Sequence, residues 1–277
     1  MIPINSQALL RLMFSLFILV NFSSISVAAT SLDSVLEMPH RAQSQLRDQF
    51  RNPAETLAFF EVKPHHSVVE IWPGGGWYTE ILGPFLRQNG EYYAAHFNPE
   101  ASREFFRNSR LSFSNKIEAS PELYDQTMTT VFEPPKLLTI APPGIADRVL
   151  TFRNIHNWYM RGAGEETLQS AFQSFYTALK PGGLLGIVEH RLPESSSDKM
   201  QNDSGYMKQS YVIKMAESAG FRFIESSEIN ANPKDSADHP NGVWTLPPRL
   251  RIGDPEKGKY RDIGESDRMT LKFRKPQ

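Results

Sequence analysis

Cysteine is absent from the 277 residues of the chain. That removes a disulfide scaffold, a Cys-ligated zinc or iron–sulfur centre and a thiol nucleophile. Net charge is nearly absent too: 30 Lys and Arg against 31 Asp and Glu leave −1, so no overall basic field draws the chain to nucleic acid or to an anionic membrane. Internal repeats and low-complexity tracts are missing, and no long apolar run follows the N-terminal segment. The 40% of hydrophobic residues are those of an ordinary folded protein. The length suits one large α/β domain or two small ones.

The N-terminus reads as an address. Arg11 is the only charged residue before Asp33, and the apolar run Leu12–Val20 follows it. A bilayer-spanning helix needs about 20 apolar residues, so this run is short for a span. Val27-Ala28-Ala29 then offers small side chains at the positions a signal peptidase reads. We expect an export signal over residues 1–29, cut after Ala29, and a periplasmic or secreted product with no stable membrane insertion. An uncleaved membrane anchor is the rival reading.

Residues 30–277 are read as a single α/β domain. Asn52-Pro53-Ala54-Glu55 has an Asn able to cap, Pro at the first helical position and Glu in the first turn, which predicts a helix over 53–60. Val68–Ile71 predicts a buried strand, Trp72–Gly76 a glycine turn, and Trp77–Leu82 the start of a helix, the first half of a βαβ unit. Further strands are predicted at 92–95, 137–140, 147–152, 184–188, 221–226 and 268–273. Helices are predicted at 100–108, 165–179 and 210–219, the second carried by the spacing of Leu168, Phe172, Phe175 and Leu179. This alternation argues for a doubly wound, mostly parallel sheet. The Asn-, Asp- and Pro-rich stretch from Asn230, running to about residue 262, reads as a lid-like insertion, with a packed surface insertion as the alternative.

Ligands of open α/β sheets bind at the carboxyl ends of the strands. Those ends carry Glu70 to Gly76, His96 and Asn98, Arg153 to Asn157, and Glu189 to Arg191, including three of the seven histidines. Gly74, Gly75 and Gly76 let backbone approach a ligand, and the free N–H groups of the following helix start face the same way. Glu70 is placed to order that turn. A glycine turn that merely packs tightly is the competing explanation.

Three segments resemble class I S-adenosylmethionine-dependent methyltransferases. Val68-Val69-Glu70-Ile71-Trp72-Pro73-Gly74-Gly75-Gly76 is similar to their first motif, Asp147–Leu150 to their fourth strand, and Ala178-Leu179-Lys180-Pro181-Gly182-Gly183-Leu184 to the lead into their fifth. A closer resemblance is to a family of exported methyltransferases of Gram-negative bacteria whose activity is inferred. It is carried by Glu70–Glu80, Phe152–Trp158, Asn230–Asp235 and Gly264–Met269. The resemblance implies a Rossmann-like, seven-stranded sheet with an antiparallel last strand. It also implies S-adenosylmethionine as cofactor, held by Glu70, Trp72, Gly74, Gly75, Gly76, Tyr78, Thr79, His96, Asn98 and Asn154. Two positions depart from the general pattern. Trp72 stands at the first glycine of the motif, and His96 stands where an acid normally meets both ribose hydroxyls; a neutral imidazole accepts only one hydrogen bond. Either Asn98 helps hold the adenosine or the pocket has moved to another ligand. Thr79 in place of a third glycine argues against a dinucleotide site.

For chemistry, His156 and His190 at neighbouring strand ends are the candidate bases, since imidazole titrates near neutrality. Asn157 is a third candidate at the reacting centre. Arg153 is assigned to an anionic substrate group and Trp244 to substrate contact. A structural hydrogen-bonding role is the rival for each histidine. No H-x-x-x-H or H-E-x-x-H spacing occurs, and no metal ligand set is assigned. Two functions compete: methyl transfer to a small molecule, and a non-catalytic exported module that uses the same cleft for a nucleoside-like or aromatic ligand. Neither involves nucleic acid.

Overall fold

The computed structural model describes residues 30–277. The expected export signal over 1–29 lies outside the described residues. Eight strands form one sheet: β1 (Ser67–Ile71), β2 (Glu91–His96), β3 (Thr127–Val131), β4 (Ala146–Phe152), β5 (Leu179–Leu192), β6 (Met207–Lys208), β7 (Arg222–Ser227) and β8 (Arg268–Arg274). Their order is β3-β2-β1-β4-β5-β8-β7, with the two-residue β6 pairing beside β5. Neighbours from β3 to β5 run parallel, whereas β8 is antiparallel to both β5 and β7. This is the doubly wound arrangement the sequence predicts.

Both faces of the sheet are covered, which explains why every residue of β1 is buried and consecutive valines serve opposite faces. Side chains alternate across a strand: Val69 and Ile71 join a core with Phe172 and Phe175 of the helix Gly164–Ala178, while Val68 joins the opposite core with Leu57 of the helix Pro53–Phe59 and Ile81 of the helix Thr79–Leu86. Gly186 in mid-β5 is required by this second core. A Cβ there would lie 2.7 Å from the Phe60 ring, so the missing side chain is what lets that ring rest on the sheet.

Several local expectations are corrected. The third strand is Thr127–Val131, not 137–140. As an edge strand of threonines it is only partly buried and carries no apolar signature; Ile140 is apolar because it is buried in the core, and its carbonyl accepts from the Thr130 hydroxyl at 2.7 Å. The helix predicted at 100–108 runs instead from Glu104 to Glu118. Asn52 does not cap its helix: it adopts φ 39°, and its Nδ2 donates to Ile229 O at 2.7 Å. Lys180–Gly183 does not precede β5 but lies within it, the pairing with β4 shifting register there. The glycine turn extends to Tyr78 before the next helix begins at Thr79.

This topology assembles the site. The carboxyl ends of β1, β4 and β5 meet the beginning of β8, because β8 runs the other way and pairs Arg268 opposite His190. Asn154 fastens the edge: its Nδ2 donates to Ile71 O at 2.8 Å, linking the ends of β4 and β1. No helix of the described residues is long and apolar enough to cross a membrane.

Candidate functional site

A cavity of about 830 Å³ opens at this edge. Of the residues singled out from the sequence, Trp72, Gly74, Gly75, Arg153, Asn154, His156, Asn157, His190 and Trp244 line it. Glu70, Gly76, Tyr78, Thr79, His96 and Asn98 do not. Trp72 and Arg153, at the ends of adjacent strands, both adopt left-handed backbone, φ 48° and 63°, which costs a non-glycine residue about 1–3 kcal/mol and is typically kept where a side chain must be aimed. Trp72 is held by its indole N–H donating to Phe132 O at 2.9 Å and by the nearby rings of Phe97 and Trp158.

The residues behind the cavity shape the glycine turn. Gly74 has φ 59° and nothing within 4 Å of where a Cβ would stand, and the N–H groups of Gly74 and Gly75 find no backbone acceptor. The assignment of His96 to direct cofactor contact is therefore corrected. Its Nδ1 accepts from the Phe97 N–H at 2.7 Å, which leaves Nε2 as the donor to Gly74 O at 3.0 Å. Burial pushes this imidazole down to about 4, so it stays neutral while holding the turn from behind. Lys116 holds the next carbonyl, Gly75 O, at 3.0 Å, and pairs with Glu80. Asn98 is likewise occupied, donating to Glu133 at 2.8 Å and accepting from the Glu100 N–H at 2.9 Å. Tyr78 stacks on Phe152 with centroids 3.6 Å apart.

Glu70 does not accept from the turn N–H groups as expected; it accepts from the Tyr92 and Thr79 hydroxyls. Burial raises its carboxyl from 4.5 to about 7 against the opposing effect of those two hydrogen bonds. A raised carboxyl contributes stability that is complete below pH 4.5 and lost as the pH rises through about 7. Glu70→Gln is accordingly expected to flatten the decline in thermal midpoint across that interval. A slope as steep as that of the parent protein would refute this assignment.

The reactive groups sit on the other side of the cavity. Glu189, fully buried, faces His156 Nδ1 at 3.0 Å and accepts the N–H groups of His156 at 3.2 Å and His190 at 2.7 Å. This fixes the proton of His156 on Nδ1 and leaves Nε2 as an acceptor toward the cavity. His190 is 5.3 Å from His156, ring to ring, and its Nδ1 lies 2.5 Å from the Ser266 hydroxyl. Burial, then His156 and three arginines, push His190 well below the usual imidazole range, so it remains uncharged. The ligand atoms of His156, Glu189 and His190 all fall within 4.8 Å of one another, a donor set that sequence spacing does not disclose because it joins two strand ends. Glu189 already satisfies its neighbours, and the surrounding guanidinium groups disfavour an added cation. The geometry therefore suits proton handling better than metal binding.

Residues that sequence analysis passed over complete the walls. Phe97 and Phe106 stand beside Trp72, whose ring centroid is 4.7 Å from that of Phe97, and Phe105 packs on both phenylalanines. Their signal was the aromatic density of 97–106 in an otherwise polar stretch. Eight arginines also line the cavity against two glutamates, Glu80 and Glu265. Within the expected lid, Val243, Trp244, Pro247 and Pro248 border the cavity, with the Arg161 guanidinium 4.9 Å from the Trp244 ring. That segment is ordered by Asp235, whose shielded carboxylate accepts from Tyr206 and from the N–H groups of Ala237 and Asp267.

No family model matches the chain, and no curated protein matches it by sequence. Solved structures do match in shape. A SAM-dependent methyltransferase from Aquifex aeolicus superposes with TM-score 0.53 at 15% identity, covering 89% of this chain and 99% of that one. The [4+2]-cyclase SpnF gives 0.53 at 12% identity over 82% of this chain and 80% of its own. Human N-acetylserotonin methyltransferase, solved in complex with SAM, gives 0.50 at 14% identity over 89% of this chain and 57% of its own. The chain is thus built on the Rossmann-like fold of the S-adenosylmethionine-dependent methyltransferases, a mostly parallel sheet closed by antiparallel final strands.

Proposed function

We propose that the protein transfers a methyl group from S-adenosylmethionine to a small molecule. The observation that carries this reading is one cavity bounded by the Gly74–Gly75 turn on one side and by the Glu189-oriented His156 on the other. The open space and unpaired N–H groups of the turn suit a polar cofactor end, and the Trp72–Phe97–Phe106 wall suits a flat ring. When bound, S-adenosylmethionine supplies an electrophilic methyl carbon whose bond to sulfur breaks, the pair leaving with sulfur, as the acceptor's lone pair forms the new bond. The chain's own work is positioning and proton removal. His156 Nε2 receives the acceptor's proton, Glu189 steadies the imidazolium that results, and Asn154 and Asn157 orient polar groups at the rim. The N-terminal segment supports export, so we place this activity in the periplasm or outside the cell.

Calorimetric titration with S-adenosylmethionine and S-adenosylhomocysteine tests the reading. Saturable binding is expected, and Gly74→Val should abolish it, because a β-branched residue is strained at φ 59° and fills the approach. No heat with either compound at millimolar concentration would defeat methyl transfer. That result would favour the second reading, a binding module for another aromatic ligand. Its support is that His96 and Asn98 are both committed within the protein and that the Trp72 ring adjoins the turn.

A further inference from the structure

We propose that Arg51, Arg153 and Arg268 form a binding site for an oxyanionic group, a carboxylate or phosphate monoester, carried by the methyl acceptor. The identity of the bearer as acceptor rests on the methyl-transfer reading; the oxyanion site does not.

The chain as a whole carries a net charge of −1, yet its cationic groups gather at this wall. Arg47, Arg51, Arg153 and Arg268 surround a single carboxylate, Glu265, an excess of three positive charges. Arg51 and Arg268 are 4% and 2% exposed. Glu265 leaves them incompletely matched: Arg51 reaches it through Nε at 3.3 Å while its buried Nη1 has no partner, and Arg268 Nε has none either. The Arg153 side chain makes no hydrogen bond among the described residues, its backbone N–H alone being engaged, to Val188 O at 2.7 Å, and its left-handed backbone sets it at the cavity wall just past the end of β4. Buried guanidinium groups without acceptors are costly to keep. A ligand oxyanion removes that cost, since the planar fork of arginine matches carboxylate and phosphate oxygens two at a time. Burial, then the neighbouring Arg268, pushes Arg153 down to about 10, the response of a cation that lacks its counter-ion.

Within the one cavity, sheet order sets the arginines toward β8 and the glycine turn toward β2. Gly74 lies in the turn after β1 and His96 ends β2, whereas Arg153 follows β4 and Arg268 opens β8 opposite His190. An anion held by these arginines lies beside the His156–His190 pair. The methyl acceptor is thereby specified as an anionic small molecule, with the proton-bearing atom near His156.

Inorganic phosphate is the probe, titrated by calorimetry into the purified protein at constant ionic strength set with chloride. Saturable binding is expected, weakened at least tenfold by Arg153→Gln and partly retained by Arg153→Lys. Because the Arg153 side chain makes no internal hydrogen bond and stands among other cations, Arg153→Gln should melt no lower than the parent protein, and circular dichroism checks this. S-adenosylhomocysteine affinity should be unchanged by Arg153→Gln and by added phosphate. Absent phosphate binding, or binding indifferent to Arg153→Gln, overturns the site. Competition between phosphate and S-adenosylhomocysteine, with both lost in Arg153→Gln, assigns the arginines to the cofactor and overturns the acceptor proposal. Phosphate binding that depends on Arg153 without any S-adenosylhomocysteine binding leaves the oxyanion site standing while methyl transfer falls.

Discussion

Glu265→Gln is expected to lower folding stability by about 3–5 kcal/mol, the usual consequence of removing one partner from a buried ion cluster. Glu265 is 3% exposed and pairs with Arg47 at 2.5 Å, with Arg51 at 3.3 Å and with Arg268. Burial alone would raise its carboxyl, but the four guanidinium groups around it outweigh burial and hold it at about 2, below an ordinary value of 4.5. At about 1.4 kcal/mol per pKa unit that difference corresponds to roughly 3 kcal/mol. Without the carboxylate, four cations converge with no acid among them. The pH dependence has a definite sign. A depressed carboxyl contributes stability that is present above pH 4.5 and lost as the pH falls through about 2. The deficit of Glu265→Gln should therefore be full at neutral pH and close in strong acid. Urea unfolding at neutral pH measures it, and a loss under about 1 kcal/mol, the range of an exposed pair, would show that the cluster is already solvated.

The second large effect concerns turnover. His156→Ala should reduce methyl transfer by about 10²–10⁴-fold, the range that a positioned general base contributes, and leave S-adenosylhomocysteine binding intact. Incorporation of labelled methyl into anionic small molecules, beside calorimetry, separates the two readouts. Glu189→Gln tests the orienting role independently: an amide in place of the carboxylate no longer stabilises the imidazolium, so turnover falls and its pH profile moves while cofactor affinity holds. Undiminished transfer by His156→Ala would remove His156 as the base and leave His190, buried beside Ser266, as the remaining imidazole at that wall.

The sheet was legible from the sequence wherever burial is two-sided. The central part of β5 lies between two cores and reads as an unbroken apolar run, and β1 and β4 carry the apolar pairs Val68-Val69 and Val149-Leu150 that serve both cores. β3 escaped because an edge strand need satisfy only one neighbour and can be built of threonines. At the site, the residues at strand ends could be found by topology alone, and Gly74, Arg153, His156 and His190 do meet there. What sequence order could not convey is which side chains face outward. Glu70 and His96 occupy positions that suggest ligand contact, but both satisfy partners inside the protein. Arg47 and Arg51 lie 218 and 214 residues from Glu265 in the chain, so no local pattern announced their convergence on the Glu265–Arg268 pair.

His96 and Lys116 grip the carbonyls of Gly74 and Gly75 from the side away from the cavity. A glycine turn left to itself samples many conformations, and a ligand must forfeit affinity to freeze them. Here the freezing is completed when the chain folds, by two side chains that do not line the cavity. The turn can thus be glycine-rich for access without being loose, and the tightness of binding at this edge is set partly by residues on its far side.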